Sequence, residues 1–172
     1  MIDFIDTRKS PNYSSRNDVK IDTVIVHHTA SLMPDPLNWL CDPQSQVSAH
    51  LLVTINGQIY SLVDLEDKAW HAGRSQYDYD GDGKIYSTEY GLNARSIGIE
   101  IESLGDAYTD QQMGALVMLC LKFMHVYQVQ AKHILGHKEV SLIGKIDPGN
   151  FDMQKFRVAM DLMYNVRAKV IV

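Results

Sequence analysis

Residues 96–102 read S-I-G-I-E-I-E, and no other stretch constrains the fold as strongly. In a strand, successive side chains point to opposite faces, so strict alternation writes two faces into seven residues. Ile97, Ile99 and Ile101 form an apolar face that needs a hydrophobic cover, and Glu100 and Glu102 fall on the other. Glu100 lies between Gly98 and Ile101 in a run that reads as central and buried. A carboxylate buried without a partner is costly, so Glu100 needs a partner or a chemical task. Glu102, nearer the strand end, reads as a solvated carboxylate.

The remaining pattern places this strand in an α/β fold. Residues 23–27 form a short apolar strand that ends at His27, with His28 directly after it. Residues 50–55 and 58–63 are two further strands joined by Asn56-Gly57, a strong signal for a tight hairpin. Thr109 opens a helix with Gln112 as its capping-box partner; Leu116, Leu119 and Phe123 recur at helical spacing, and the helix ends near residue 129. Short and long helices are expected at 37–40 and 153–166. Residues 6–20 read as a polar, extended lead-in, and residues 72–95 as a long surface excursion. Strands interleaved with helices predict one α/β domain over 1–172, a central mixed β-sheet flanked by helices.

Composition excludes several classes. Apolar residues at 45% and charged residues at 22% suit an ordinary globular domain. Lys and Arg number 16 against 21 Asp and Glu, a net charge of −5 with no basic cluster, so nucleic acid is not the expected partner. No apolar run approaches the roughly 18 residues of a membrane span. The start shows no basic head followed by an apolar core, so the expectation is a product made in the cytoplasm without a signal peptide. Cys41 and Cys120 have neither disulfide-framework nor zinc-finger spacing.

Three settings suit a single catalytic metal. His27 and His28 end a buried strand, where open α/β sheets commonly place their sites; one of the pair would face a cleft and the other pack behind it. Glu100 supplies a carboxylate able to move protons. His137, Lys145 and Asp147 share one loop-like stretch, G-H-K-E-V-S-L-I-G-K-I-D-P-G. A catalytic zinc takes three N, O or S ligands and leaves a fourth position to water. His125 and His133 have no chemical companions and read as structural.

The chain resembles the zinc-dependent N-acetylmuramoyl-L-alanine amidases, a family that includes phage lysozyme-amidases, peptidoglycan recognition proteins and anhydro-muropeptide amidases. The resemblance covers about residues 21–156. It rests on V-I-V-H-H-T-A, V-S-A-H-L-L-V-T-I-N-G-Q-I-Y, A-W-H-A-G, L-N-A-R-S-I-G-I-E-I-E, Y-T-D-Q-Q and L-G-H-K-E-V…G-K-I-D-P-G, in that order. It implies zinc on His27, His137 and Asp147, at one edge of the sheet in a surface groove. It implies Glu100 as acid/base, Lys145 as the oxyanion-stabilising cation, and His50, Trp70, His71 and Asn93 as substrate contacts. Ala49 stands where phage lysozyme-amidases carry Tyr, so no tyrosine role transfers.

A second metal signal lies at 78–89. Asp78, Asp80, Asp82, Lys84 and Glu89 occupy the ligand positions of an EF-hand loop, with Gly83 at the turn. The flanks are not helical, so the expectation is a calcium-binding loop inserted between A-W-H-A-G and L-N-A-R-S. The first functional reading is a lytic, phage-endolysin-like amidase that cleaves peptidoglycan between N-acetylmuramic acid and L-alanine. The alternative is a cytoplasmic amidase that recycles anhydro-muropeptides. A non-catalytic peptidoglycan-recognition module and a calcium-sensing interaction protein rank below both.

Overall fold

The isoleucine face does find its cover. In a computed structural model, which describes residues 3–78, 85–87 and 91–170, the elements run β1 (Phe4–Ile5), β2 (Tyr13–Ser15), β3 (Thr23–His28), α1 (Asp35–Leu40), β4 (Leu51–Val53), β5 (Ile59–Ser61), β6 (Asp67–Ala69), β7 (Gln76–Asp78) and β8 (Ile85–Ser87). They continue with α2 (Leu92–Arg95), β9 (Ser96–Ile101), α3 (Asp110–Val126), β10 (Ile134–Gly136), α4 (His137–Val140) and α5 (Met153–Val170).

Six strands form one sheet in the order β1-β5-β4-β9-β3-β10. β4, β9, β3 and β10 run parallel, β5 returns antiparallel to β4, and β1 runs parallel to β5. The sheet is therefore mixed, as expected. The β4–β5 hairpin turns at Gly57, whose φ of 75° favours glycine; a Cβ there would also lie 2.8 Å from the Gln111 carbonyl oxygen.

Ile97, Ile99 and Ile101 pack with Val24 and Val26 of β3 against Leu116, Leu119 and Phe123 of α3 and Phe156 of α5. α3 begins on a complete capping box: the Thr109 side chain accepts from Gln112 N–H, and Gln112 Oε1 accepts from Thr109 N–H. The opposite face carries smaller clusters, Ile25 with Leu92, Leu135 and Val140, and Leu52 with Leu40 and Leu62. One face is thus sealed by two long helices, and the other is left partly open.

Several expectations shift. α3 ends at Val126, short of 129, and α5 runs to Val170, beyond 166. The polar lead-in contains β2, paired antiparallel with β6. The stretch 137–147, read as loop-like, opens with α4, and β10 leads into it. Glu102 is not a solvated carboxylate: it is 5% exposed, Oε1 accepting from Met33 N–H and Oε2 from Ile55 N–H. Among the described residues, no helix is long and apolar enough to cross a membrane.

Candidate active site

Register brings the site together. β3 and β9 pair with His27 opposite Glu100, so both side chains rise from the face away from α3. β10 runs along the other side of β3 and delivers His137, the first residue of α4, beside His27. His28 points to the opposite face, where its Nδ1 accepts from Gly149 N–H at 2.8 Å and so holds the loop that carries Asp147. The alternation of β3 therefore separates the two histidines that sequence could not.

His27 Nδ1 lies 3.1 Å from His137 Nδ1, and each lies 3.0 Å from Asp147 Oδ2. Among the described residues these three make the group able to hold a metal ion. Two imidazole nitrogens and one carboxylate oxygen are a zinc donor set, and a tetrahedral ion with ligands at about 2.0–2.1 Å separates them by roughly 3.3 Å. The outer nitrogens are also engaged: His27 Nε2 faces His71 Nδ1 at 3.1 Å, and His137 Nε2 donates to the Ala72 carbonyl at 3.1 Å. The residues fit the ion.

Electrostatics agree with that donor set. Burial pushes the His27 imidazole down to about 4, against the pull of the Asp147 hydrogen bond. Burial of Asp147 works against its ionisation, but its contacts with the His137 and His27 rings prevail and hold it well below the usual carboxylate range. Glu100 behaves oppositely. Burial, reinforced by the charge of Asp147 and opposed by Lys145, pushes its carboxyl up to about 8. Glu100 Oε2 is enclosed without a hydrogen-bond partner among the described residues.

His27, His71, Glu100, His137, Lys145 and Asp147 line one open groove of about 760 Å³. Lys145 stands on an exposed loop, its backbone N–H donating to Ser141 Oγ. The other expected substrate contacts lie elsewhere. His50 is fully buried: its Nδ1 accepts from Gly98 N–H at 2.9 Å, and burial followed by the Arg16 charge pushes it down to about 3. Trp70 donates from Nε1 to Ser14 Oγ and from its backbone N–H to Ser48 Oγ. Asn93 Oδ1 accepts from the backbone N–H groups of His71 and Ala72. Of the calcium expectation, Asp78 ends β7, whereas Asp80, Asp82, Lys84 and Glu89 lie outside the described residues.

Sequence reasoning missed Arg16. Its buried guanidinium donates to the carbonyls of Leu65, Asn93, Ala94 and Ser96 and touches His50 Nε2 at 2.6 Å. Nothing in a polar lead-in marks one arginine as central. Ser96 was also passed over, although Gly98 two residues on is the kind of strand-interior glycine that signals a close approach.

A family model described as N-acetylmuramoyl-L-alanine amidase matches residues 17–150. The 1,6-anhydro-N-acetylmuramyl-L-alanine amidase AmpD of Escherichia coli (strain K12) is 34% identical over 170 residues, 87% of this chain and 88% of that protein. The crystal structure of a Se-Met AmpD derivative superposes with a TM-score of 0.70 at 29% identity, covering 89% of this chain and 93% of that one. The amidase AmiD from E. coli, in complex with anhydro-N-acetylmuramic acid-L-Ala-D-gamma-Glu-L-Lys, gives 0.66 at 28% identity, covering 90% and 61%. The chain belongs to the N-acetylmuramoyl-L-alanine amidase family and is a peptidoglycan amidase.

Proposed function

We propose that the chain hydrolyses the amide between the lactyl group of N-acetylmuramic acid and L-alanine, and that it acts on soluble 1,6-anhydro-muropeptides. The observation that carries the chemistry is a juxtaposition in one groove: three ligand atoms 3.0–3.1 Å apart beside Glu100 Oε2, enclosed and without a hydrogen-bond partner among the described residues. Similarity to an anhydro-muropeptide amidase along most of both chains supports the substrate. That similarity reverses the order of the two readings taken from sequence, setting the recycling enzyme ahead of the lytic one.

His27, His137 and Asp147 would hold zinc. Bound there, zinc supplies a Lewis acid that polarises the scissile carbonyl and acidifies a water. The Glu100 carboxylate takes a proton from the attacking water and delivers it to the departing amine nitrogen. The Lys145 ammonium, on the groove wall, faces the negative charge that develops on the carbonyl oxygen. His27 stays neutral, and the walls orient the lactyl-alanine amide across the carboxylate.

The substrate assignment is tested by comparing initial rates on a purified anhydro-muropeptide and on intact sacculi at matched bond concentration. Faster cleavage of the soluble fragment is expected. Solubilisation of sacculi at an equal or greater rate would restore the lytic reading.

A further inference from the structure

We propose that His71 is a positioning residue for the metal centre, accepting the outer ring proton of His27 and so fixing the tautomer and ring plane in which His27 offers Nδ1. This rests on the metal reading of His27, His137 and Asp147. The argument is one of proton counting. A neutral imidazole carries one N–H, and as a ligand beside His137 Nδ1 and Asp147 Oδ2, at 3.1 and 3.0 Å, His27 Nδ1 would give its lone pair to the ion. Its proton therefore sits on Nε2, 3.1 Å from His71 Nδ1.

His71 Nδ1 must then accept, which places the His71 proton on Nε2, 3.2 Å from Ser96 Oγ. Ser96 donates its own hydroxyl proton to the Leu92 carbonyl, leaving its oxygen free to receive. The chain His27, His71, Ser96, Leu92 runs in one direction with no proton missing or spare. All three side chains are buried, at 2%, 9% and 0% exposure, so a link left unmade there is costly.

The surroundings are built for the ring. A Cβ at Gly98 would stand 2.5–2.7 Å from three His71 ring atoms, so β9 carries a glycine where the imidazole lies on the sheet. The rings of His27 and His71 meet almost perpendicularly, at 85°, with centroids 5.2 Å apart. The next residue, Ala72, accepts the outer proton of His137, and Asn93 Oδ1 clamps the backbone N–H groups of both 71 and 72. A two-residue segment thus orients both histidine ligands. Outer partners of this kind alter metal affinity by about 10–100-fold when removed.

The test measures the zinc dissociation constant by competition with a chromogenic chelator, with the His27 tautomer read from ring nitrogen NMR. His71→Phe fills the space without an acceptor, His71→Asn returns an oxygen near the Nδ1 position, and Ser96→Ala removes the far end of the chain. We expect His71→Phe to weaken zinc by about 10–100-fold, His71→Asn to recover most of that loss, and Ser96→Ala to weaken zinc and mix the His27 tautomers. Should His71→Phe fail to fold, Ser96→Ala decides. Wild-type zinc affinity and a single His27 tautomer in the folded variants would overturn the inference, even if the metal-free protein melted lower. A wild-type chain that binds no zinc would overturn the metal reading itself, a separate result.

Discussion

Glu100 Oε2 has given up hydration without gaining a hydrogen bond among the described residues, beside a carboxylate held ionised by two imidazoles. That arrangement costs stability and makes sense where the proton has somewhere to go. Glu100→Gln keeps the shape and removes the proton transfer; we expect activity to fall by about 10²–10⁴-fold with one zinc still bound, checked by kcat and metal analysis. Near wild-type turnover would sink the role. Lys145 is exposed and carries no packing burden, so Lys145→Met should leave the melting temperature alone while kcat drops by roughly 10²–10³; an unchanged kcat would remove it from the chemistry. Glu100 was legible in sequence because alternation set it opposite three isoleucines. His27 was separable from His28 only by family likeness, since a strand shows that the two face opposite ways without showing which way is in. Glu102 misled for a related reason: its carboxylate binds backbone groups of loops distant in sequence, and no local pattern announces such partners.

Elements formed where short-range chemistry is strong. The Asn56-Gly57 turn and the Thr109–Gln112 capping box each satisfy backbone requirements within a few residues, and both appear where the sequence puts them. Thr109 does more than cap, because its Oγ1 also donates to the Ile55 carbonyl at 2.7 Å and ties α3 to the β4–β5 turn. Thr109→Ala should cost about 1 kcal/mol, a fall of about 2–4 °C in Tm for a chain this size, measured by thermal denaturation of the metal-free protein. No loss of Tm would mean that the cap is replaced by solvent. β2, β10 and α4 escaped sequence reading because each is three or four residues long, too short for a period to show. Their stability comes from neighbours: β10 pairs along β3, and α4 sets Val140 among Ile25, Leu92 and Leu135.

At the scale of the molecule, four parallel strands end on one side, and the face not sealed by α3 and α5 holds the groove. This is the general place for a site in an open α/β sheet, and it explains why residues 27, 100, 137 and 147 meet across 120 positions of chain. The mixed sheet and its flanking helices were readable from alternation and helical spacing. The network beneath the groove was not, because Arg16, His50, His71 and Ser96 contact one another only after the lead-in, the start of β4, the segment after β6 and β9 have come together. The most direct test of the account is mass spectrometry of the products from an anhydro-N-acetylmuramoyl tripeptide treated with zinc-loaded, chelated and zinc-restored protein. The account predicts a free peptide beginning at L-alanine with zinc, none after chelation, and its return when zinc is restored. Cleavage at another bond, or the same products at the same rate from chelated protein, would contradict it.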